Sequence, residues 1–212
     1  MMHIVSINIG MPQMVTIDEK PLTTGIYKKP VNGPITVTKT HCIGDGQADL
    51  IHHGGPDKAI CAYASEHFSF WEQVYHRSFT PGAFGENLTL FGLTENQVCI
   101  GDVYEVGTAV IQVSQPRQPC FKLAKRHGLK DLPLKVQETG YTGFYFRVLQ
   151  EGSIQKGDPL TLIDRSPLAL SIHDVNTIYY IDKRNVAAMK TIVAEPALSE
   201  DWRQSFIKRM ER

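Results

Sequence analysis

Gly101–Gln115 reads GDVYEVGTAVIQVSQ. Ile111 and Val113 alternate with Gln112 and Ser114, the period of two that separates the faces of a strand. Gly107 interrupts the apolar pattern where a tight turn needs a residue free of Cβ clashes. The stretch predicts a β-hairpin. Working outward, His3–Gly10 (HIVSINIG) is β-branched and partly alternating, and Pro34–Gly46 (PITVTKTHCIGDG) sets Ile35, Val37 and Lys39 against Thr36, Thr38 and Thr40. Lys58–Ala64 (KAICAYA) and Glu86–Gly92 (ENLTLFG) are short apolar runs, and Gly143–Asp164 reads as strand, glycine turn, strand. Short strands at close, glycine-marked spacing predict a mainly β chain, a barrel or a sandwich.

Two helices interrupt the β pattern. Ser65–Arg77 (SEHFSFWEQVYHR) opens on Ser65 as N-cap, with Phe68, Trp71 and Tyr75 on one face. The other follows Cys120. Past Asp164 the pattern turns helical: Ser171 and Asp174 form a capping box, Asn185–Pro196 is a second helix, and Ser199 opens a third. The expected organisation is a β domain over 1–166 and a three-helix segment over 167–212, whose short helices must dock to be stable.

The 212 residues are 42% apolar and 21% charged, an ordinary globular mix for one large domain with a small appendage. Lys plus Arg equals Asp plus Glu at 22 each, which argues against generic nucleic-acid binding. From Arg165 onward eight basic residues face six acidic ones, a difference of two (8 − 6) and a thin footprint for a DNA-binding helix set. The N-terminus shows no signal-peptide pattern, and no run approaches the ~20 apolar residues of a membrane span. Four cysteines without a C-x-x-C pair fit reduced thiols and a cytoplasmic setting.

Ser114–Gly128 (SQPRQPCFKLAKRHG) holds Cys120 between two prolines and a short basic helix. Pro119 suits the first helical position and Gly128 the C′ position. Cys120 then sits in the first turn beside Arg117 and Lys122, an environment that favours a thiolate, which is a nucleophile or a soft-metal ligand. A small buried hydrophobe is the alternative. Leu50–Ile60 (LIHHGGPDKAI) offers His52, His53, Gly54, Gly55 and Lys58 as an anion-binding turn, or simply a β-turn with solvated histidines. Pro81–Leu90 (PGAFGENLTL) offers Glu86 and Asn87, the latter able to donate and accept at a heterocycle edge. Cys42, Cys61 and Cys99 read as core, and the adjacent His/Cys pairs do not suit zinc because neighbouring strand residues point to opposite faces.

HHGGPDKA, GAFGENL, IGD before a hairpin, PRQPC and GFYFRVLQEG occur in that order between about Gly44 and Leu162. This order resembles the MOSC-domain family, named for the C-terminal domain of molybdenum cofactor sulfurase. The helical tail makes it most similar to the bacterial subgroup linked to N-hydroxylaminopurine resistance. The resemblance implies a MOSC-type β-barrel carrying the molybdenum cofactor, a pterin dithiolene with a phosphate, and Cys120 as the molybdenum ligand. It implies reduction of small N-hydroxylated bases, with electrons from a separate flavoprotein. His52, His53, Gly54, Gly55, Lys58, Asn87, Arg117 and Arg147 are then the cofactor-binding candidates, and His53 or Glu86 would assist proton transfer. Relatives with sulfur-transfer roles keep a Cys120 persulfide carrier open as an alternative, and a non-enzymatic binding module is a third. The tail is expected to dock on the barrel, on a reductase or on a second copy of the chain.

Overall fold

The apolar run at Lys58–Ala64 becomes a central strand, buried at every residue from Ile60 to Ala64. Strands covered on both faces read this way instead of alternating. A computed structural model describes residues 1–17, 19–49 and 54–211. In it an eight-stranded sheet runs, in spatial order, β12 (Leu160–Asp164), β8 (Val103–Val106), β9 (Ala109–Pro116), β10 (Phe144–Gln150), β6 (Ile60–Ala64), β7 (Leu88–Phe91), β1 (His3–Ile9) and β4 (Lys29–Pro30). Neighbours are antiparallel except β6 and β7. The sheet curls until its edges approach: Ile4 N donates to Asp158 O (3.0 Å), and Leu160 N donates to Met2 O (3.0 Å). The hairpin expected around Gly107 is β8–β9, with Val106 opposite Ala109 and Gly107 at φ 56°, in the left-handed region a two-residue turn demands. Ile111 and Val113 are fully buried, and Gln112 is half-buried.

Two hairpin-like pairs lie outside the main sheet, β2 (Gln13–Ile17) with β3 (Lys20–Thr24) and β5 (Ile35–Val37) with β11 (Gly152–Ile154). The first pair carries no buried face except Thr24, so its sequence gives no hydrophobic signal. Helix α1 (His67–Tyr75) buries Trp71, with Phe68 and Tyr75 against the same aromatic cluster. It begins one position later than Ser65 requires, because the Ser65 hydroxyl donates to Glu66 Oε2 (3.3 Å) instead of accepting from the first turn. Helix α2 (Phe121–His127) ends at Gly128 in the left-handed conformation. Helix α3 (Leu132–Thr139), with Pro133 in its first turn, buries Leu132 and Val136 four residues apart.

The tail forms α4 (Ile172–Asn176), which continues into a π-turn over Thr177–Ile181, then α5 (Val186–Val193) and α6 (Glu200–Met210). The capping box is present: Asp174 N donates to Ser171 Oγ (3.0 Å), and Ser171 N donates to Asp174 Oδ2 (3.2 Å). These helices are too short to stand alone. They share one core with the barrel, where Ile172, Val175, Trp202 and Phe206 join Ile100, Ile111 and Val113. Ser199 N donates to Ser114 O (3.0 Å), so the start of α6 is fastened to the strand that leads to Cys120. Among the described residues, no helix is long and apolar enough to cross a membrane.

Candidate functional site

Strand β9 ends at Pro116, and the chain stays extended because Arg117 N donates to Gly143 O (3.0 Å) at the start of β10. Pro119 therefore lies in the extended segment and not at the first helical position. Cys120 is the N-cap, at φ −111° and ψ 165°, and its carbonyl accepts the first turn's bond from Leu123 N (3.0 Å). The half-buried Cys120 borders two cavities that meet along Lys58, Gln118, Cys120, Lys122 and Tyr145. The inner one, about 620 Å³ with its open mouth, reaches into the barrel end; the outer one, about 1440 Å³ likewise, extends to the three-helix segment.

Among the described lining residues the inner cavity has Lys28, Lys58, Arg117 and Lys122 and no carboxylate. Arg117 is only 6% exposed. Its Nη2 donates to Phe84 O (2.5 Å), while Nη1 has no hydrogen-bond partner among the described residues. Burial pulls the guanidinium pKa down, but Cys61, Tyr145, Cys120 and Glu86 outweigh burial and raise it. A buried cation with an unspent donor is costly unless an anion answers it. Cys61, on β6 opposite Tyr145 of β10, also borders this cavity; burial pushes its thiol up to about 11 despite Arg117. Lys28 pairs with buried Asp45, whose carboxylate also accepts from Gly10 N and Asn87 Nδ2 (both 2.9 Å).

The remaining predicted residues are distributed unevenly. Lys58 lines both cavities and pairs with Asp201 of α6 at 2.6 Å. Asn87 borders the inner cavity, yet its Oδ1 accepts from Cys61 N (3.0 Å) and its Nδ2 donates to Asp45, so its polar atoms hold the wall. Glu86 is fully buried and accepts from Gly82 N (2.6 Å), Phe84 N (2.9 Å) and Thr89 Oγ1 (2.8 Å). Burial raises its carboxyl pKa against those bonds. The carboxylate thus shapes the loop, while Gly85, at φ 77° beside Ile26, brings bare backbone to the cavity. Arg147 is engaged by Asp57 (Nη2–Oδ1 2.8 Å) and Gln112 and does not border either cavity. Gly55, at φ 96°, caps the 3₁₀ turn Pro56–Lys58, and neither Gly54 nor Gly55 is among the described lining residues. His52 and His53 lie outside the described residues.

The basic end of α2 acts indirectly. Arg126 Nη1 donates to Ile26 O and to Gly82 O (2.6 Å), and His127 Nε2 meets Ala83 O at 2.8 Å. Both grip the loops that wall the cleft. Sequence reasoning missed Lys28, Gln115, Tyr145, Tyr179 and Trp202 as cleft residues. Only Tyr145 left a trace, as alternate-face partner to the buried Phe144 and Phe146.

The donor set fits an anionic, sulfur-bearing group: the half-buried Cys120 sulfur, an unspent buried guanidinium donor and Lys122, beside Lys28 and Lys58 that already pair with Asp45 and Asp201. Among the described residues no cluster of three His, Cys, Asp or Glu could cage a metal alone. A curled β sheet with a cation-lined cleft at Cys120 and a docked helical tail defines a mainly β, half-barrel domain with a helical C-terminal segment. The chain belongs to the MOSC domain family, whose model matches residues 49–161, and the YiiM-like 3-alpha helix domain matches 170–212. YflK of Bacillus subtilis (strain 168), described as uncharacterized, is 52% identical over 209 residues, covering 99% of this chain and 95% of its own length. The crystal structure of YiiM from Geobacillus stearothermophilus superposes with a TM-score of 0.86 at 55% identity, covering 99% of this chain and all of that one. A Gibberella moniliformis protein named "Reductase" is 35% identical over 170 residues, 78% of this chain but 30% of its own length.

Proposed function

We propose that this protein is a molybdenum-cofactor-dependent reductase of N-hydroxylated bases and related compounds, fed electrons by a separate flavoprotein. The observation that carries the reading is the pairing of the accessible Cys120 sulfur with the unspent buried Arg117 Nη1 in one cleft. The family membership and the relative named a reductase support it. The net conversion is R–NHOH plus two electrons and two protons to R–NH₂ and water. When bound, the cofactor supplies the redox chemistry of that conversion. Cys120 would hold its metal as a thiolate. Arg117 and Lys122 would hold its anionic groups, while Lys28 and Lys58 pair with Asp45 and Asp201 at the wall. The carboxylate of Glu86 is spent on its own loop, which leaves His53, the other candidate from the sequence, for proton delivery.

The test is metal analysis with pterin fluorescence on protein made in a cofactor-competent host, followed by reduction of an N-hydroxylated purine. Near-stoichiometric molybdenum and pterin are expected in the wild type, and Cys120→Ala should lose metal or activity by at least tenfold. A wild type that binds neither overturns the reading, and persulfide on Cys120 without molybdenum would point to sulfur transfer.

A further inference from the structure

The cleft changes chemistry as it passes Cys120. On the inner side it offers donors and cations. On the outer side aromatic faces and oxygen acceptors join the shared Lys58 and Lys122: Phe121, Tyr179 and Trp202 line it together with Gln115, Asp201 and Ser205. Gln115 is 3% exposed, and its Oε1 has no hydrogen-bond partner among the described residues. Its Nε2 reaches toward Pro116 O at 3.5 Å, so exchanging the two amide atoms would set oxygen against oxygen. A buried acceptor without a donor is a liability that a ligand N–H removes.

Tyr179 is held still on several sides. The Arg209 guanidinium lies 3.7 Å from its ring centre, the Trp202 ring centre is 4.6 Å away, and its hydroxyl is 3.3 Å from Ser205 Oγ. A fixed aromatic ring makes an economical platform for a flat ligand because little side-chain freedom is left to lose. Asp201 remains 70% exposed while it pairs with Lys58, leaving carboxylate oxygen facing solvent. An aromatic platform with acceptors suits a flat heterocycle that carries N–H donors.

We propose that the outer half of the cleft is the base subsite of the enzyme. Tyr179 is its platform and Gln115 its N–H acceptor, so the three-helix segment supplies the ring and the end of β9 supplies the acceptor. This inference rests on the reductase reading above.

The test measures binding and turnover separately. N6-hydroxyadenine is titrated into cofactor-free and cofactor-loaded protein, followed by tryptophan fluorescence and calorimetry. Reduction of N6-hydroxyadenine and of hydroxylamine, which has no ring to stack, is then compared. Wild type should bind the base in both forms. Tyr179→Leu should weaken binding roughly five- to 150-fold, the range for loss of a base–aromatic stack, whereas Tyr179→Phe keeps the ring and stays near wild type. Gln115→Met should weaken binding about tenfold. In the loaded enzyme Tyr179→Leu should lower kcat/KM for the base, mainly through KM, by at least about fivefold more than kcat/KM for hydroxylamine. Tyr179→Leu and Gln115→Met binding as wild type does would overturn the subsite. So would a wild type that reduces hydroxylamine yet binds no base, with the reductase reading intact. A wild type that binds the base through Tyr179 but reduces nothing when loaded keeps the subsite and sinks the reductase reading.

Discussion

Replacing Arg117 with methionine separates binding from folding. In the cofactor-free protein the substitution removes the bond to Phe84 O, a charged hydrogen bond worth about 1.5–3 kcal/mol. It also removes a buried donor, Nη1, that has no partner among the described residues and costs about 1–3 kcal/mol to keep dry. Methionine fills most of the vacated volume with a flexible apolar chain. The two contributions offset, so stability should stay within about 2 kcal/mol of wild type. At roughly 2–4 °C per kcal/mol for a chain of this size, the Tm should move by no more than about 8 °C. The loaded protein, in contrast, loses a charge-assisted bond to an anionic cofactor group. That loss of about 1.5–3 kcal/mol corresponds to roughly ten- to 150-fold weaker retention. Urea unfolding of cofactor-free protein measures the first quantity. Molybdenum and pterin remaining after graded dialysis measure the second. A variant that loses more than about 4 kcal/mol of stability yet retains cofactor as wild type does would make Arg117 a structural group and refute the reasoning.

Two more outcomes test the framework around the site. Trp202 is 3% exposed and packs with Tyr179 and Phe206 in the core shared with the barrel, so Trp202→Ala should cost about 3–5 kcal/mol. The heat-unfolding curve should remain a single transition, and a separate early melt of the helices would contradict a shared core. Burial pushes His127 down to about 4, with Arg126 and Arg77 adding to burial against the Ala83 carbonyl. The neutral ring fits its bonds, accepting at Nδ1 from Arg77 Nη2 (2.7 Å) and donating from Nε2 to Ala83 O. The unfolded chain, with a histidine pKa near ~6.5, takes up the proton first as pH falls. The stabilisation is therefore intact above about 6.5 and is lost between there and about 4. Wild type should exceed His127→Gln in stability by more at pH 7 than at pH 5, and an equal gap at both would refute the assignment.

Much of the frame was legible in local sequence. The period of two in Ala109–Val113, which ends at the fully buried Ser114, the glycine at 107 and the buried run Ile60–Ala64 each report a backbone state and a buried face. The Ser171–Asp174 box reports a helix start in the same way, since both partners lie within one turn. Glu86 shows the limit. Its position in a glycine loop suited a catalytic carboxylate, but three backbone and side-chain donors within two to four residues of it decide its partners, and it faces its own loop. Arg147 was a candidate by its charge, and Asp57, ninety residues away in sequence, engages it.

The sequence by itself determined most strands of the main sheet, the tail helices and the extended entry to the cysteine loop, because hydrophobic period, caps and proline act over a few residues; the β2–β3 pair left no such pattern. It also carried the ordered motifs of the family the chain belongs to. Only the tertiary structure decided what surrounds Cys120. Lys28 comes from the loop between β3 and β4, Tyr145 from β10, and Tyr179 and Trp202 from the tail, and they meet at the cleft because the sheet curls and α6 is tied to Ser114. Contacts between residues so far apart follow from how apolar faces close over one another in three dimensions, and no local pattern records that closure.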